Sequence, residues 1–290
     1  MDIREAIFRL SHCREIGTSR KLKLISSLQA HSPVLPHISA LQLILSIPIE
    51  KASKLHKEFH SIPFTRLKLY YADKGIKWCT IADEGYPDLL KEVYDPPLLL
   101  FCKGNTELLH TPMKLAVIGA RKCTPYTGKV LSHLIPSLTQ HRVTIISGLA
   151  RGADTIAHET SIRSGGKTIG VIAGGFDHIY PKENVPLANH MMDHHLMISE
   201  FPPHTRPEKW QFPLRNRIIS GLSHAVLVTE AQRKSGTYIT ADYALNEGRD
   251  VFCIPGPLFA PMSEGTNTLI QEGAKMVVSA EDILVEMASM

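Results

Sequence analysis

Two short segments in the C-terminal half hold residue types suited to gripping an anion. The first is Phe212-Pro213-Leu214-Arg215-Asn216-Arg217, where two cations flank an amide just before apolar residues at Ile218, Ile219 and Leu222. That spacing predicts a helix beginning here, and cations at a helix N-terminus oppose its dipole. Helix stability does not account for them; a bound anion would. The second is Lys234-Ser235-Gly236-Thr237, between an apolar run at 225–228 and a predicted helix through Ala241 and Leu245. Its amine, hydroxyls and backbone N–H groups form a second anion cradle.

Two further turns carry the same character. Gly119-Ala120-Arg121 places a guanidinium just after a predicted strand, where it can fork onto a phosphate. Ser147-Gly148-Leu149-Ala150-Arg151-Gly152-Ala153-Asp154 joins glycines, which let an anion approach the backbone, to a helix start that Asp154 can cap. The dinucleotide fingerprint G-x-G-x-x-G is absent and no acidic ribose partner follows, so NAD and FAD are not expected. Gly165-Gly166-Lys167-Thr168 imitates the end of a P-loop but leads into a strand, whereas a P-loop leaves one. His158-Glu159 opens a zincin-like pattern, but Ile162 stands where the second His belongs. His190 and His194 share a helix face without the cysteines or carboxylates that would complete a metal site. No nucleophile with its base is legible, so neither a metal, a cofactor nor a catalytic group is expected.

The elements that must position these turns read as α/β. Short Val- and Ile-rich runs at 115–118, 143–146, 168–172, 196–198, 225–228 and 251–254 alternate with helical segments. That alternation predicts a mostly parallel, Rossmann-like sheet covered on both faces. Ligands of such a sheet bind beyond the C-terminal strand ends, where all four turns fall. Residues 1–75 read as a small helical domain, with apolar residues at helical spacing and a break at Pro48. Residues 76–112, rich in proline, with a short strand expected at 78–81 and a second apolar run at 98–101, read as a connection packed on the Rossmann-like domain at 113–290.

Bulk composition is permissive. The 290 residues carry a formal net charge of +4 and are 43% hydrophobic, ordinary for a globular protein. The mild basic excess allows a nucleic-acid partner without demanding one. Five scattered cysteines without a CxxC spacing argue against a disulfide framework or a zinc ribbon. The charged N-terminus does not read as a signal, and no apolar run approaches a membrane span, so a soluble, cytoplasmic protein is expected.

Assembled in order, these segments resemble the DprA/Smf family, the DNA-processing proteins of bacterial natural transformation. The resemblance runs over about 86–274. It includes Val117-Ile118-Gly119-Ala120-Arg121, the 147–154 turn with His158, Gly174-Gly175 before Tyr180-Pro181-Lys182-Glu183-Asn184, Ser199-Glu200, the 212–217 and 234–237 segments, Pro255-Gly256 and Gly265-Thr266-Asn267. The helical part is similar only in general to the family's sterile-alpha-motif-like domain.

The resemblance implies an extended Rossmann-like fold, single-stranded DNA binding, homodimerisation, protection of incoming DNA and loading of a RecA-type recombinase, without catalysis. It implies DNA contacts at Arg121, Gly148, Lys182, Arg215, Asn216, Arg217, Lys234, Ser235, Gly236 and Thr237, with Phe176 placed to stack on a base. The chain departs from the family pattern at Thr127, where glycine is usual. It is also expected to lack the winged-helix module that many members carry after the Rossmann-like domain. The competing class is a nucleotide-processing enzyme of the lysine-decarboxylase-like Rossmann group, whose P-G-G-x-G-T-x-x-E signature is missing although Glu230 follows the corresponding strand. A sensor of small nucleotides in the same fold is a third reading.

Overall fold

A computed structural model describes residues 1–31, 34–233 and 235–289. Five helices come first: α1 (Ile3–His12), α2 (Thr18–His31), α3 (Ile38–Leu45), α4 (Ile49–Ser61) and α5 (Phe64–Asp73). Asp2 caps α1 by accepting the Glu5 N–H, and the break between α3 and α4 falls at Pro48 as its chemistry predicts. There follow β1 (Ile76–Thr80), α6 (Asp88–Lys91), β2 (Leu99–Gly104), β3 (Lys114–Ile118), α7 (Pro125–Gln140), β4 (Thr144–Ser147) and α8 (Ala153–Arg163). The chain continues through β5 (Thr168–Ile172), α9 (Val185–His194), β6 (Leu196–Ser199), α10 (Gln211–Gly221), β7 (Ala225–Val228) and α11 (Gly236–Asn246). It closes with β8 (Asp250–Cys253), α12 (Glu264–Gln271), β9 (Lys275–Met276) and α13 (Ala280–Ala288).

The strands form one sheet in the order β1-β2-β6-β5-β4-β3-β7-β8-β9. Pairing is parallel from β6 to β9 and antiparallel at β1–β2 and β2–β6. The 76–112 stretch, expected as a connection, thus supplies one edge of the sheet itself. The strand expected at 78–81 is there as β1, but its place in the sheet escapes a search for βαβ units because β1 and β2 join antiparallel, without a crossover helix.

Side-chain alternation builds the layers. Leu115 and Val117 of β3 face one way, onto Leu131, Leu134, Ile135 and Leu138 of α7 and Ile283 of α13. Ala116 and Ile118 face the other way, into a core with Ile218, Ile219 and Leu222 of α10 and Ala241 and Ala244 of α11. A third core joins the helical N-terminus to the β2–β6 edge, with Phe8, Phe59 and Tyr71 packed in one cluster with Phe101 and Met197. The fold is therefore α/β, Rossmann-like and preceded by helices.

Three buried histidines make stability depend on pH. His12, His158 and His195 are each held down from the ordinary 6.5 to about 4, chiefly because burial disfavours the charged ring. As pH falls through 6.5 the unfolded chain takes up these protons before the folded one does. Stability is accordingly expected to drop between about pH 6.5 and 4, by at most about 3 kcal/mol per histidine. Buried carboxyls such as Asp154, pushed up by desolvation, act in the opposite sense at the acid end of this window. Urea midpoints at pH 7.5 and 5.5 check this: the lower pH should give the lower midpoint, and equal midpoints would contradict it.

Candidate functional site

The strand order reverses at β3: α7 carries the chain toward β4, while α10 returns it to β7 on the other side. Such a switch point opens a crevice beyond the C-terminal strand ends. Here it is a cleft of about 1090 Å³. Gly119, Ala120 and Arg121 enter it from the end of β3, Ser235, Gly236 and Thr237 from the turn after β7, and Arg215 and Asn216 from α10. Arg121, Lys122 and Lys209 are exposed on its walls. Asp154 is the acidic group of the lining, and it lies buried 4.0 Å from Arg215. The open face of the cleft therefore carries a net positive charge.

At one end of the cleft, α11 begins without a side-chain cap. Ser235 occupies the N-cap position, and its hydroxyl is buried with no hydrogen-bond partner among the described residues. The Ser235 hydroxyl and the first N–H groups of α11 thus stand ready for an oxygen-rich anion. Lys234, expected to join this cradle, lies outside the described residues. On the opposite wall the Arg121 guanidinium sits over the Phe212 ring, 5.4 Å from its centroid. Phe212 in turn meets Tyr180 edge-on at 5.9 Å.

Arg215 and Arg217 do not stand at a helix start. α10 begins at Gln211, because Pro213 is tolerated in a first turn, so both arginines fall in its interior. Arg215 is buried: its Nη1 donates to the Val171 carbonyl at 2.6 Å. Its guanidinium closes the floor of the cleft and needs the bare backbone of Gly148, where a Cβ would stand 2.5 Å from its Cζ. Gly148 is itself buried, so its part is to make room for Arg215. Arg217 is removed further. It is 3% exposed, and its Nη2 donates to both Glu200 oxygens at 2.7 Å. The cations expected to meet DNA together are thus separated, one beneath the cleft and the other in an internal ion pair.

Phe176 also differs from expectation. The short turn at Phe176–His178 tucks its ring into the third core, leaving it 7% exposed and unavailable for stacking. Tyr180 and Phe212 line the cleft in its place, and Trp210 lies exposed one residue before α10. Both cleft aromatics stood within recognised motifs, but apolar rings read as core when exposure is unknown. Lys122 and Lys209 were missed because they lie outside the motifs. Lys182 is exposed on the turn that Asn184 ties to the 147–154 loop through the Leu149 carbonyl and Thr155 hydroxyl, but it does not line the cleft.

Glu230, the carboxylate that an enzyme would need, is buried and accepts on both oxygens. It accepts the Thr124 N–H and hydroxyl at 2.8 and 2.7 Å and the Thr127 hydroxyl at 2.7 Å. Thr127, the departure from the family pattern, therefore helps bind Glu230 to the start of α7. Gly165-Gly166-Lys167 runs from the end of α8 into β5, away from the cleft, as its position in the sequence predicts. Among the described residues no cluster of His, Cys, Asp and Glu is arranged to hold a metal, and no helix is long and apolar enough to cross a membrane.

A Rossmann-type sheet with a basic cleft at its switch point and a helical N-terminal part defines the class. Within it the chain belongs to the family of DNA recombination-mediator protein A, whose sequence profile matches residues 77–288. It is 46% identical to DNA processing protein DprA of Bacillus subtilis, over 90% of this chain and 86% of that one. Identity to DNA processing protein DprA of Streptococcus pneumoniae is 48%, over 71% and 73% of the two chains. The crystal structure of DNA processing protein A from Streptococcus pneumoniae superposes with a TM-score of 0.88 over 99% of both chains at 37% identity. A structure of DNA processing protein A from Helicobacter pylori, described for its single-stranded DNA binding mode, matches with a TM-score of 0.66 and 31% identity, over 73% of this chain and 96% of that one.

Proposed function

We propose that the cleft binds single-stranded DNA and carries out no reaction on it. The observation that carries this reading is the cleft wall: Arg121, Lys122 and Lys209 are exposed there, while Asp154 is buried beside Arg215. A run of cations suits a chain of phosphates, and Tyr180 and Phe212 offer faces for bases of any identity. Asn216, Ser235, Gly236 and Thr237 add hydrogen-bonding groups. Lys182 extends the same basic rim from the neighbouring turn. The single-stranded DNA binding mode described for the Helicobacter pylori relative supports this choice of ligand.

The fuller role is that of a cytoplasmic recombination mediator in natural transformation, protecting incoming single strands and loading a RecA-type recombinase. It acts as a homodimer, for which the exposed apolar side chains Met276, Val278 and Val285 supply surface. Glu230 is buried and both its oxygens accept from Thr124 and Thr127, which weighs against the nucleotide-enzyme reading.

Titration of labelled single-stranded and duplex DNA, with and without millimolar nucleotides, tests the proposal. Single strands should bind more tightly than duplex, and nucleotides should neither compete nor be turned over. Nucleotide hydrolysis, or equal affinity for duplex, would contradict it.

A further inference from the structure

Charge is divided unevenly along the chain. Residues 1–75 hold twelve Lys and Arg against six Asp and Glu, while residues 76–290 hold twenty against twenty-two. The whole basic excess therefore lies in the helical part, away from the cleft. Three of its acids are already used inside it: Asp2 caps α1, Glu5 pairs with Arg9, and Glu58 accepts the Arg14 and Glu15 N–H groups. Among the described residues its ion pairs involve Arg4 and Arg9 alone.

Part of this excess is organised on α5. Arg66, Tyr70 and Lys74 recur at four-residue intervals, so they share one side of the helix, while Tyr71 is buried. All three are exposed, and the Lys74 Nζ sits 5.9 Å from the Tyr70 ring centroid. Lys77 of the sheet-edge strand β1 is exposed as well, but it pairs across the ladder with Cys102 on the sheet face away from α5, and its Nζ donates to the Thr106 hydroxyl at 3.5 Å. Asp73 is the single acid of α5. Cations with an aromatic face between them are what a flexible polyanion carrying bases needs.

We infer that the Arg66–Tyr70–Lys74 stripe is a second contact surface for single-stranded nucleic acid, separate from the cleft. This rests on the reading of the cleft as a single-strand site. β1 lies five strand intervals from β3, roughly 24 Å at about 4.8 Å per interval. A short oligonucleotide filling the cleft leaves the stripe bare; a longer strand reaches both.

The test compares wild type with Arg66→Gln/Lys74→Gln on an oligothymidine of about 8 nucleotides and one of about 50, chosen around the span of a single site. The variant should bind the short strand as wild type does. It should bind the long strand about tenfold more weakly, with a salt slope shallower by about 1.4, the value for two lost phosphate contacts. Unchanged long-strand affinity and slope would overturn the inference. So would binding of wild type to phosphatidylserine vesicles that the variant loses while keeping its long-strand affinity, since the stripe would then serve a membrane surface. Failure of wild type to bind the short strand would count against the cleft, and the long-strand comparison would still decide the stripe. Circular dichroism of the variant confirms its fold, since both side chains are exposed.

Discussion

Arg217→Ala is expected to destabilise the protein by about 3–5 kcal/mol, the cost of leaving a buried carboxylate without its partner. Its guanidinium holds both Glu200 oxygens, and Asp95 lies 3.9 Å from its Nε. Removing it strands Glu200 beneath the surface at the end of β6. Glu200 also accepts the Thr18 hydroxyl, so the loss extends to the start of α2. For a chain of this size the melting temperature should fall by roughly 10 °C. The double variant Arg217→Met/Glu200→Leu, which removes both charges and keeps apolar volume, should recover most of that loss. Thermal melts of the three proteins check this. A variant that melts like wild type while losing DNA affinity would return Arg217 to the DNA surface.

The opposite behaviour is expected on the cleft wall. Arg121→Ala/Lys122→Ala/Lys209→Ala removes three exposed cations with no ion-pair partner among the described residues, so stability should stay within about 1 kcal/mol of wild type. Affinity for single-stranded DNA should nevertheless fall on the order of 100-fold or more, since each charged hydrogen bond to a phosphate is worth about 1.5 kcal/mol or above. Fluorescence anisotropy at fixed salt reads this directly. The contrast between the two sets follows from burial alone: Arg217 contributes to the fold, and Arg121, Lys122 and Lys209 to the ligand.

That contrast marks the limit of what residue types reveal. The sheet was legible because strands such as Leu115–Ile118 and Ala225–Val228 are buried on both faces and therefore read as unbroken apolar runs between helices. The switch-point turns were legible because glycine and hydroxyl residues collect where a strand gives way to a helix. The strand at 78–81 was legible but its membership of the sheet was not, since an antiparallel edge needs no helical crossover. α5 left no clear period, with only Tyr71 fully buried among its residues. Arg217 looked identical to a free cation because its partner, Glu200, lies seventeen residues upstream at another strand end. Phe176 looked like a stacking ring because the helices that help enclose it come from the far N-terminus. Exposure is a tertiary property, and these two side chains depended on it.

The most direct measurement is the salt dependence of single-strand affinity for wild type beside Arg121→Ala/Lys122→Ala/Lys209→Ala. A plot of log affinity against log salt should be steep for wild type and shallower by about 2 for the variant, the value for three lost phosphate contacts. Parallel lines, or a wild-type affinity indifferent to salt, would contradict a cleft that holds DNA by its phosphates.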